Sequence, residues 1–178
     1  MEIYLIRHTS VDVPAGYAYG QTDVPLKSSF EAEAEIVRDN LRGLTFDKVW
    51  TSPLTRCRRL AAYCGYPDAE PDACLKEIDF GEWEMHSWEE ISLDPRSKKW
   101  FESWIFQPAP RGESLVNQYE RVRYFLESIR QSGLKRVCLF THGGVIACAR
   151  SYAGEFPLEE AFKHVPPYGG IVTIKTAD

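Results

Sequence analysis

Hydrophobic residues along the chain alternate between short β-rich runs and longer segments with helical spacing. The short runs lie at residues 2–6, 46–51, 136–141 and 170–175, with a weaker one at 70–78. Short apolar runs bounded by turn residues are typical of buried strands. The pattern therefore predicts five strands, with the segments between them available for helices.

Two of the intervening segments carry apolar residues at intervals of three and four, which is the spacing of one buried helix face. The first stripe consists of Phe30, Ala34, Val37, Leu41 and Leu44, and the second of Leu115, Tyr119, Val122, Leu126 and Ile129. Ser28 with Glu31 has the spacing of a capping box at the start of the first helix. Ser114 precedes the second helix, and Gly133 is expected to end it.

Two further helices are expected directly after strands. Ser52 and Pro53 follow the second strand and suit the N-cap and first positions of a helix. His142 ends the strand at 136–141 and precedes a helix that runs to about Ala153. Residues 79–112 are irregular and rich in Trp and Pro, and we interpret them as a helical excursion over the edge of the sheet.

This order of elements predicts an α/β fold, a three-layer sandwich with a mostly parallel central sheet and helices on both faces. The absence of any linker or repeat indicates one domain over residues 1–178. In such sheets the functional groups gather at the carboxyl ends of the strands. The residues that follow each strand are therefore the first candidates for chemistry.

Composition and charge narrow the function classes. The chain is 44% hydrophobic and 26% charged, which is typical of a soluble globular protein. Its net charge of −5 argues against nucleic-acid or anionic-membrane partners, and it has no apolar run of membrane-spanning length. We expect a cytoplasmic protein whose five irregularly spaced cysteines remain reduced thiols.

Cationic groups and imidazoles follow three of the predicted strands. Arg7 and His8 close the first strand, Arg56 lies one turn into the helix after the second, and His142 closes the strand at 136–141. Together they would suit an anion with several oxygens, most simply a phosphate. Each also has an ordinary alternative, as a strand-end histidine, a solvated helix arginine or a histidine bonded to backbone.

A group of carboxylates lies among aromatic residues in the segment 75–85. Its four acids are Glu77, Asp79, Glu82 and Glu84. Cleavage of a phosphate ester needs a proton for the leaving oxygen, and a half-buried carboxyl keeps its proton more readily. At least two of the four are expected to belong to an ordinary acidic surface loop.

These motifs, in this order, resemble the histidine phosphatase superfamily, which has a phosphoglycerate mutase-like fold. The matching elements are Arg7-His8, Ser52-Pro53-Leu54-Thr55-Arg56, Glu77 within Leu-x-Glu-x-x-Phe-Gly-x-Trp-Glu, and Thr141-His142-Gly143-Gly144. The resemblance implies that His8 is the nucleophile, that Glu77 is the acid and that Arg7, Arg56 and His142 hold the phosphate. It also implies phosphate contacts from Thr9, Gln21, Thr22 and Gly143, and no metal or cofactor. Thr9 departs from the pattern, since the family usually has Gly there.

Within the superfamily the chain is most similar to the alpha-ribazole phosphatases, through residues 19–26, 79–85 and 112–114. A small phosphorylated substrate is therefore the expected partner, and an exposed sheet edge leaves a homodimer open. Weaker candidates for substrate or acid roles are Tyr19, Glu82 and Trp88, whereas His86 and His164 are expected to be structural. The alternatives are a broad phosphomonoesterase, a phosphoglycerate-type mutase, or a protein that binds phosphorylated ligands without turnover.

Overall fold

The central layer of the protein is one five-stranded sheet. A computed structural model describes residues 1–176. The strands are β1 (Glu2–Arg7), β2 (Lys48–Thr51), β3 (Glu70–Pro71), β4 (Arg136–Thr141) and β5 (Ile171–Lys175), in the spatial order β3-β2-β4-β1-β5. All neighbouring pairs are parallel except β1 with β5. The predicted mostly parallel α/β sheet is confirmed.

Six α-helices occur within residues 1–176, four of them against the sheet and two in the excursion. They are α1 (Phe30–Asn40), α2 (Thr55–Tyr63), α3 (Trp88–Leu93), α4 (Ser97–Ser103), α5 (Leu115–Arg130) and α6 (Gly143–Tyr152), and 3₁₀ turns occur at Ala73–Leu75, Gly81–Trp83 and Leu158–His164. None of the helices within residues 1–176 has both the length and the apolar character needed to cross a membrane.

Side chains that alternate along the strands pack into two separate hydrophobic cores, one on each face of the sheet. Ile3 and Leu5 of β1 pack with α5 and α6, where Leu126 and Ile146 are fully buried. Ile6 of β1 points to the opposite face and packs with α1 and α2. The predicted three-layer arrangement is therefore present, and its two apolar stripes face the cores as expected.

The segment 79–112 forms a third, smaller cluster next to the sheet. It contains α3 and α4, as the predicted helical excursion requires, and its core includes Trp83, Ile91 and Trp100. Backbone hydrogen bonds join it to the loop after β1: Met85 N donates to Ala18 O at 2.7 Å and Trp88 N to Gly16 O at 2.8 Å. These bonds hold the excursion and this loop together.

Two predicted helix starts are wrong, because nearby polar side chains bond elsewhere. Helix α1 begins after Ser29, whose hydroxyl donates to Glu33 at 2.6 Å, so Ser28 and Glu31 form no capping box. Helix α2 begins at Thr55 rather than at Pro53, and Ser52 lies 2.8 Å from a ring nitrogen of His142 instead of acting as the cap.

Other boundaries differ by a few residues. The strand predicted at 70–78 is only two residues long, because the chain turns into a 3₁₀ helix capped by Asp72. Helix α1 ends at Asn40, before Leu44 of its predicted stripe, and α5 ends at Arg130, before Gly133. The capping role of Ser114 is confirmed, as its hydroxyl accepts from Asn117 N. All five cysteines are unpaired, as predicted.

Strand register brings the ends of β1, β2 and β4 together. Arg7 pairs with Thr141, and Thr51 pairs with Phe140. The residues that follow these strands therefore emerge at the same sheet edge. This edge carries the candidate site.

Candidate active site

Two histidines meet at this edge from different strands. The ring centroids of His8 and His142 are 5.2 Å apart, with the ring planes at 64°. His8 is 2% exposed, and His142 and Arg56 are fully buried. The convergence of side chains predicted from the strand ends is present in the structure.

The ring of His8 is fixed in one tautomer by the chain next to it. Its Nδ1 lies 2.8 Å from the carbonyl oxygen of Thr9. A carbonyl can only accept, so the proton is on Nδ1 and the lone pair is on Nε2. Burial, followed by the charge of Arg56, lowers the pKa of His8 from 6.5 to about 3, and Arg7 adds to this. At neutral pH the ring is therefore uncharged.

Arg56 is a buried cation held by the loop after β1, which is distant from Arg56 in the sequence. Its Nη1 donates to Thr22 O at 2.8 Å and its Nη2 to Gly20 O at 2.6 Å. Among residues 1–176 its Nε finds no hydrogen-bond partner. The backbone therefore orients the guanidinium, while its Nε–H remains without an acceptor within the described chain.

Arg7 resembles Arg56 in having its guanidinium held by a backbone carbonyl oxygen. Its Nη1 donates to Pro166 O at 2.7 Å, and its guanidinium lies over the ring of Tyr168 at 4.1 Å. Its Nε is buried and has no partner within the described chain. A pair of buried guanidinium donors without acceptors favours an oxyanion at this point.

His142 contacts one residue that directly follows β2 and one residue in α2. One ring nitrogen, Nε2, lies 2.8 Å from Ser52 Oγ and 3.5 Å from Cys57 Sγ. Burial, then the charges of Arg56 and His8, hold the pKa of His142 well below its usual range. The second imidazole is therefore also neutral in the free protein.

Glu77 is anchored beside the start of α6 by three N–H donors. Its Oε1 accepts from Gln118 Nε2 at 2.8 Å and from Ile78 N at 2.9 Å, and its Oε2 accepts from Gly144 N at 3.1 Å. A Cβ at position 144 would lie 2.3 Å from Glu77 Oε1. A glycine is needed there for the carboxyl group to approach the helix.

The segment that carries Glu77 is clamped by Arg121, a residue that the sequence did not single out. Its guanidinium donates to the carbonyl oxygens of Cys74, Lys76 and Glu77 at 2.6–2.9 Å. Glu113 accepts from the same guanidinium at 2.8 Å and 2.9 Å. The three carbonyl bonds tie the Glu77 segment to α5, and the bidentate pair with Glu113 fixes the guanidinium that makes them.

Glu84, one of the four acids in segment 75–85 to which the sequence assigned no role of its own, holds the loop that carries the Arg56 acceptors. It accepts from Gly20 N, Gln21 N and Thr22 Oγ1, each at 2.8 Å. Gln21 also donates its side-chain amide to the carbonyl oxygen of Glu77 at 3.2 Å. The side chains of Gln21 and Thr22 are thus bonded within the protein, and their segment acts on the site through Arg56.

Thr9 and Gly143 both lie beside the histidines and arginines of the site. Thr9 is fully buried next to His8, and its hydroxyl has no partner within residues 1–176. A Cβ at Gly143 would lie 2.6 Å from Val165 Cγ1 and 3.1 Å from Arg7 Nε. The glycine allows Arg7 to pack against the start of α6.

The weaker candidates divide between the site and its surroundings. Tyr19 lies at the site: its hydroxyl is 2.7 Å from that of Tyr168, and Arg56 lies 5.5 Å from its ring. Burial and the Tyr168 bond raise its pKa. Glu82 is instead engaged at the surface, 2.8 Å from Arg96 Nη1, so its proposed acid role is not supported by its position. Trp88 stacks on Trp100 at 5.6 Å.

The remaining two histidines lie apart from this cluster. His86 Nδ1 is 3.5 Å from Glu90, and His164 stacks on Phe156 at 4.0 Å between ring centroids. Both are at least a third exposed, in agreement with the structural roles expected for them.

Comparison with known proteins places this geometry in a family. The model of the histidine phosphatase superfamily (branch 1) matches residues 3–178. A phosphoglycerate mutase structure from Thermus thermophilus is 34% identical over 98% of this chain and 93% of that chain, with a TM-score of 0.78. The alpha-ribazole phosphatase structure from Shigella flexneri has a TM-score of 0.90 at 21% identity, over 100% of this chain and 92% of that one.

A curated relative from Salmonella typhimurium, an adenosylcobalamin/alpha-ribazole phosphatase, is 25% identical over 83% of this chain and 76% of its own length. A probable phosphoglycerate mutase from Serratia proteamaculans is 30% identical over 83% of this chain and 72% of its own length. With a family match over nearly its whole length and the converging histidines and arginines described above, the chain belongs to the histidine phosphatase superfamily.

Proposed function

We propose that this protein hydrolyses phosphomonoesters through a phosphohistidine formed on His8. The observation that carries the proposal is the Nε2 lone pair of a buried, neutral His8 at a sheet edge where the Nε donors of Arg7 and Arg56 are buried without acceptors. A phosphoryl group supplies both an electrophile for the nitrogen and oxygens for the donors.

In the first step, His8 Nε2 attacks phosphorus and the bond from phosphorus to the ester oxygen breaks. Arg7, Arg56 and His142 stabilise the charge on the non-bridging oxygens, and Glu77 protonates the leaving alcohol. In the second step, Glu77 takes a proton from water, the water oxygen bonds to phosphorus and the phosphorus–nitrogen bond breaks. Inorganic phosphate leaves and His8 is neutral again. The two guanidinium cations thereby take the charge-stabilising role that metal ions have in other phosphatases.

As natural substrate we propose alpha-ribazole 5′-phosphate. Support comes from the motifs around Tyr19 and Phe80 and from the Salmonella relative with that activity in its name. The mutase names among the relatives favour one alternative, transfer between positions of a phosphoglycerate. A panel with alpha-ribazole 5′-phosphate, 3-phosphoglycerate and simple sugar phosphates, with product analysis, separates hydrolysis from transfer.

The nucleophile is tested with His8→Asn, using His86→Asn as a matched control on an exposed histidine. With p-nitrophenyl phosphate, His8→Asn should lower kcat by at least about a thousandfold, since no covalent intermediate can form. His86→Asn should keep wild-type turnover. Acid-labile ³²P on the wild type but not on His8→Asn would identify the phosphohistidine, and turnover by His8→Asn within tenfold of wild type contradicts the proposal.

A further inference from the structure

Ser52 is fully buried beside the site, and none of the reaction steps described above uses it. It directly follows Thr51, the last residue of β2. Its hydroxyl has two hydrogen-bond partners within residues 1–176, Leu54 N at 3.3 Å and His142 Nε2 at 2.8 Å. The partner of one ring nitrogen of a neutral histidine determines which of the two nitrogens carries the proton. Ser52 is therefore placed to set the tautomer of His142.

The direction of the bond between Ser52 and His142 follows from the donors around the hydroxyl. A backbone N–H can only donate, so Ser52 Oγ accepts from Leu54 N. The hydroxyl keeps one proton to donate, and His142 Nε2 is the acceptor at hydrogen-bond distance. The Cys57 thiol is also near the hydroxyl, but sulfur is a weak acceptor, and this thiol donates its own proton to Thr141 O at 3.3 Å. The lone pair of the ring is thus on Nε2 and its proton is on Nδ1.

The opposite tautomer would leave more buried groups without a strong partner. If Nε2 donated to Ser52, the hydroxyl proton would have no strong acceptor and Nδ1 would be a buried lone pair without a strong donor. With the proton on Nδ1, that N–H alone lacks a strong partner, because its polar contact within the described chain is Cys57 Sγ at 3.9 Å. Unpaired buried polar groups are costly, so the Nδ1–H tautomer is favoured.

A donor on Nδ1 adds to the other buried donors of the site. The Nε groups of Arg7 and Arg56 also lack acceptors within residues 1–176. Burial, then the charges of Arg56 and His8, keep the pKa of His142 well below its usual range, so its ring is neutral in the free protein. A neutral imidazole has one N–H and one lone pair. It attracts an oxyanion only through the N–H.

On the basis of the proposed phosphatase function, we infer that Ser52 is a positioning residue: it holds neutral His142 in the Nδ1–H tautomer, so that the ring donates a hydrogen bond to the phosphoryl group. Without the Ser52 hydroxyl, Nε2 can take the proton and direct it towards Cys57 Sγ, 3.5 Å away. Nδ1 then presents a lone pair to the phosphoryl oxygens and repels them. The Ser52 hydroxyl therefore decides whether the second histidine of the site attracts or repels the substrate.

The tautomer is measured by nitrogen NMR on the wild type labelled with ¹⁵N-histidine at neutral pH. The chain has four histidines, so His8→Asn, His86→Asn and His164→Asn assign three rings and leave His142 by elimination. Nδ1 of His142 should be the protonated nitrogen. Saturating inorganic phosphate should move the resonance of the Nδ1-bound proton downfield, because hydrogen bonding deshields a proton. A ring protonated on Nε2, or a bound phosphate that leaves this resonance in place, would overturn the inference.

Ser52→Ala provides the kinetic test. It should transfer the His142 proton to Nε2 and lower kcat by about a hundredfold, the usual cost of losing one donor to a transition-state oxyanion. The loss should be equal on ethyl phosphate and p-nitrophenyl phosphate, because both esters have the same phosphoryl group. Ser97→Ala removes another buried serine hydroxyl, one that donates to Ser92 O, and should keep wild-type rates.

Two results of these experiments distinguish the inference from the function on which it depends. A Ser52→Ala protein that retains the Nδ1–H tautomer of His142 contradicts the inference, whatever its rates. A wild type that hydrolyses no phosphomonoester contradicts the proposed function, while the tautomer of His142 in the free protein is still measured.

Discussion

The carboxyl group of Glu77 is kept in place by donors from three segments, and only one of them, Gln118, is a side chain. Gln118→Leu removes that donor and frees the carboxyl group to turn away from the leaving oxygen. We expect kcat to fall about tenfold on ethyl phosphate and less on p-nitrophenyl phosphate, whose leaving group needs little protonation. Gln131→Leu, at the exposed end of α5, should leave both rates unchanged. Equal losses on the two substrates would show that Gln118 does not act through Glu77.

Tyr168 affects the site through its ring as well as its hydroxyl. The guanidinium of Arg7 lies over the Tyr168 ring, and the centroid of that ring is 5.6 Å from the centroid of the His8 ring. The Tyr168 hydroxyl is hydrogen-bonded to the Tyr19 hydroxyl. Tyr168→Phe keeps the cation–π contact, so inhibition by inorganic phosphate should weaken by no more than about threefold. Tyr168→Ala loses it and should weaken inhibition by about tenfold or more. Equal inhibition constants for the two variants would exclude a role for the ring.

At the scale of elements, the first turn of α6 can hold the Glu77 carboxyl group because position 144 has no side chain. Gly144→Ala would place a Cβ 2.3 Å from Glu77 Oε1 and 3.0 Å from Gln118 Nε2, so the carboxyl group must move. A displacement of about 1 Å can cost about a hundredfold in rate, and we expect kcat on ethyl phosphate to fall by that order. The melting temperature should fall only modestly, since the better helix propensity of alanine, about 0.5–1 kcal/mol, offsets part of the cost of crowding. Wild-type kcat in a folded Gly144→Ala would contradict this placement of Glu77.

The elements that sequence predicted best are those whose formation depends on their own pattern. Strands β1 and β4 and helices α5 and α6 have continuous apolar runs or stripes, and their bounds agree within a few residues. Predictions failed where a polar side chain bonds a distant partner, as Ser52 does with His142, 90 residues away. The catalytic candidates follow strands and could be found, but the roles of Glu84 and Tyr168 could not. Glu84 bonds Thr22, 62 residues away in the chain, and Tyr168 bonds Tyr19, 149 residues away.

At the scale of the whole molecule, a chain with a net charge of −5 keeps two guanidinium groups at a buried edge of its sheet, where burial penalises uncompensated charge. A bound oxyanion relieves this penalty only in the folded state. Inorganic phosphate at a hundred times its dissociation constant should therefore stabilise the fold by about 2.7 kcal/mol. Thermal unfolding with and without phosphate measures this, with chloride at equal ionic strength as the salt control. Arg58→Ala, on an exposed neighbour of Arg56, should show the same shift, and an equal shift in Arg56→Ala would contradict anion binding by Arg56.

The same burial makes global stability depend on pH through His8. Its pKa is about 3 in the folded protein and near 6.5 when exposed, so between these values the unfolded chain binds more protons. The contribution of His8 is therefore complete above pH 6.5 and declines as the pH falls towards 3, by about 2 kcal/mol at pH 5. Urea unfolding of wild type and His8→Asn at about pH 7.5 and pH 5 measures it. The wild type should lose about 2 kcal/mol more than the variant over this interval, and equal losses would mean that His8 is not buried as a neutral ring.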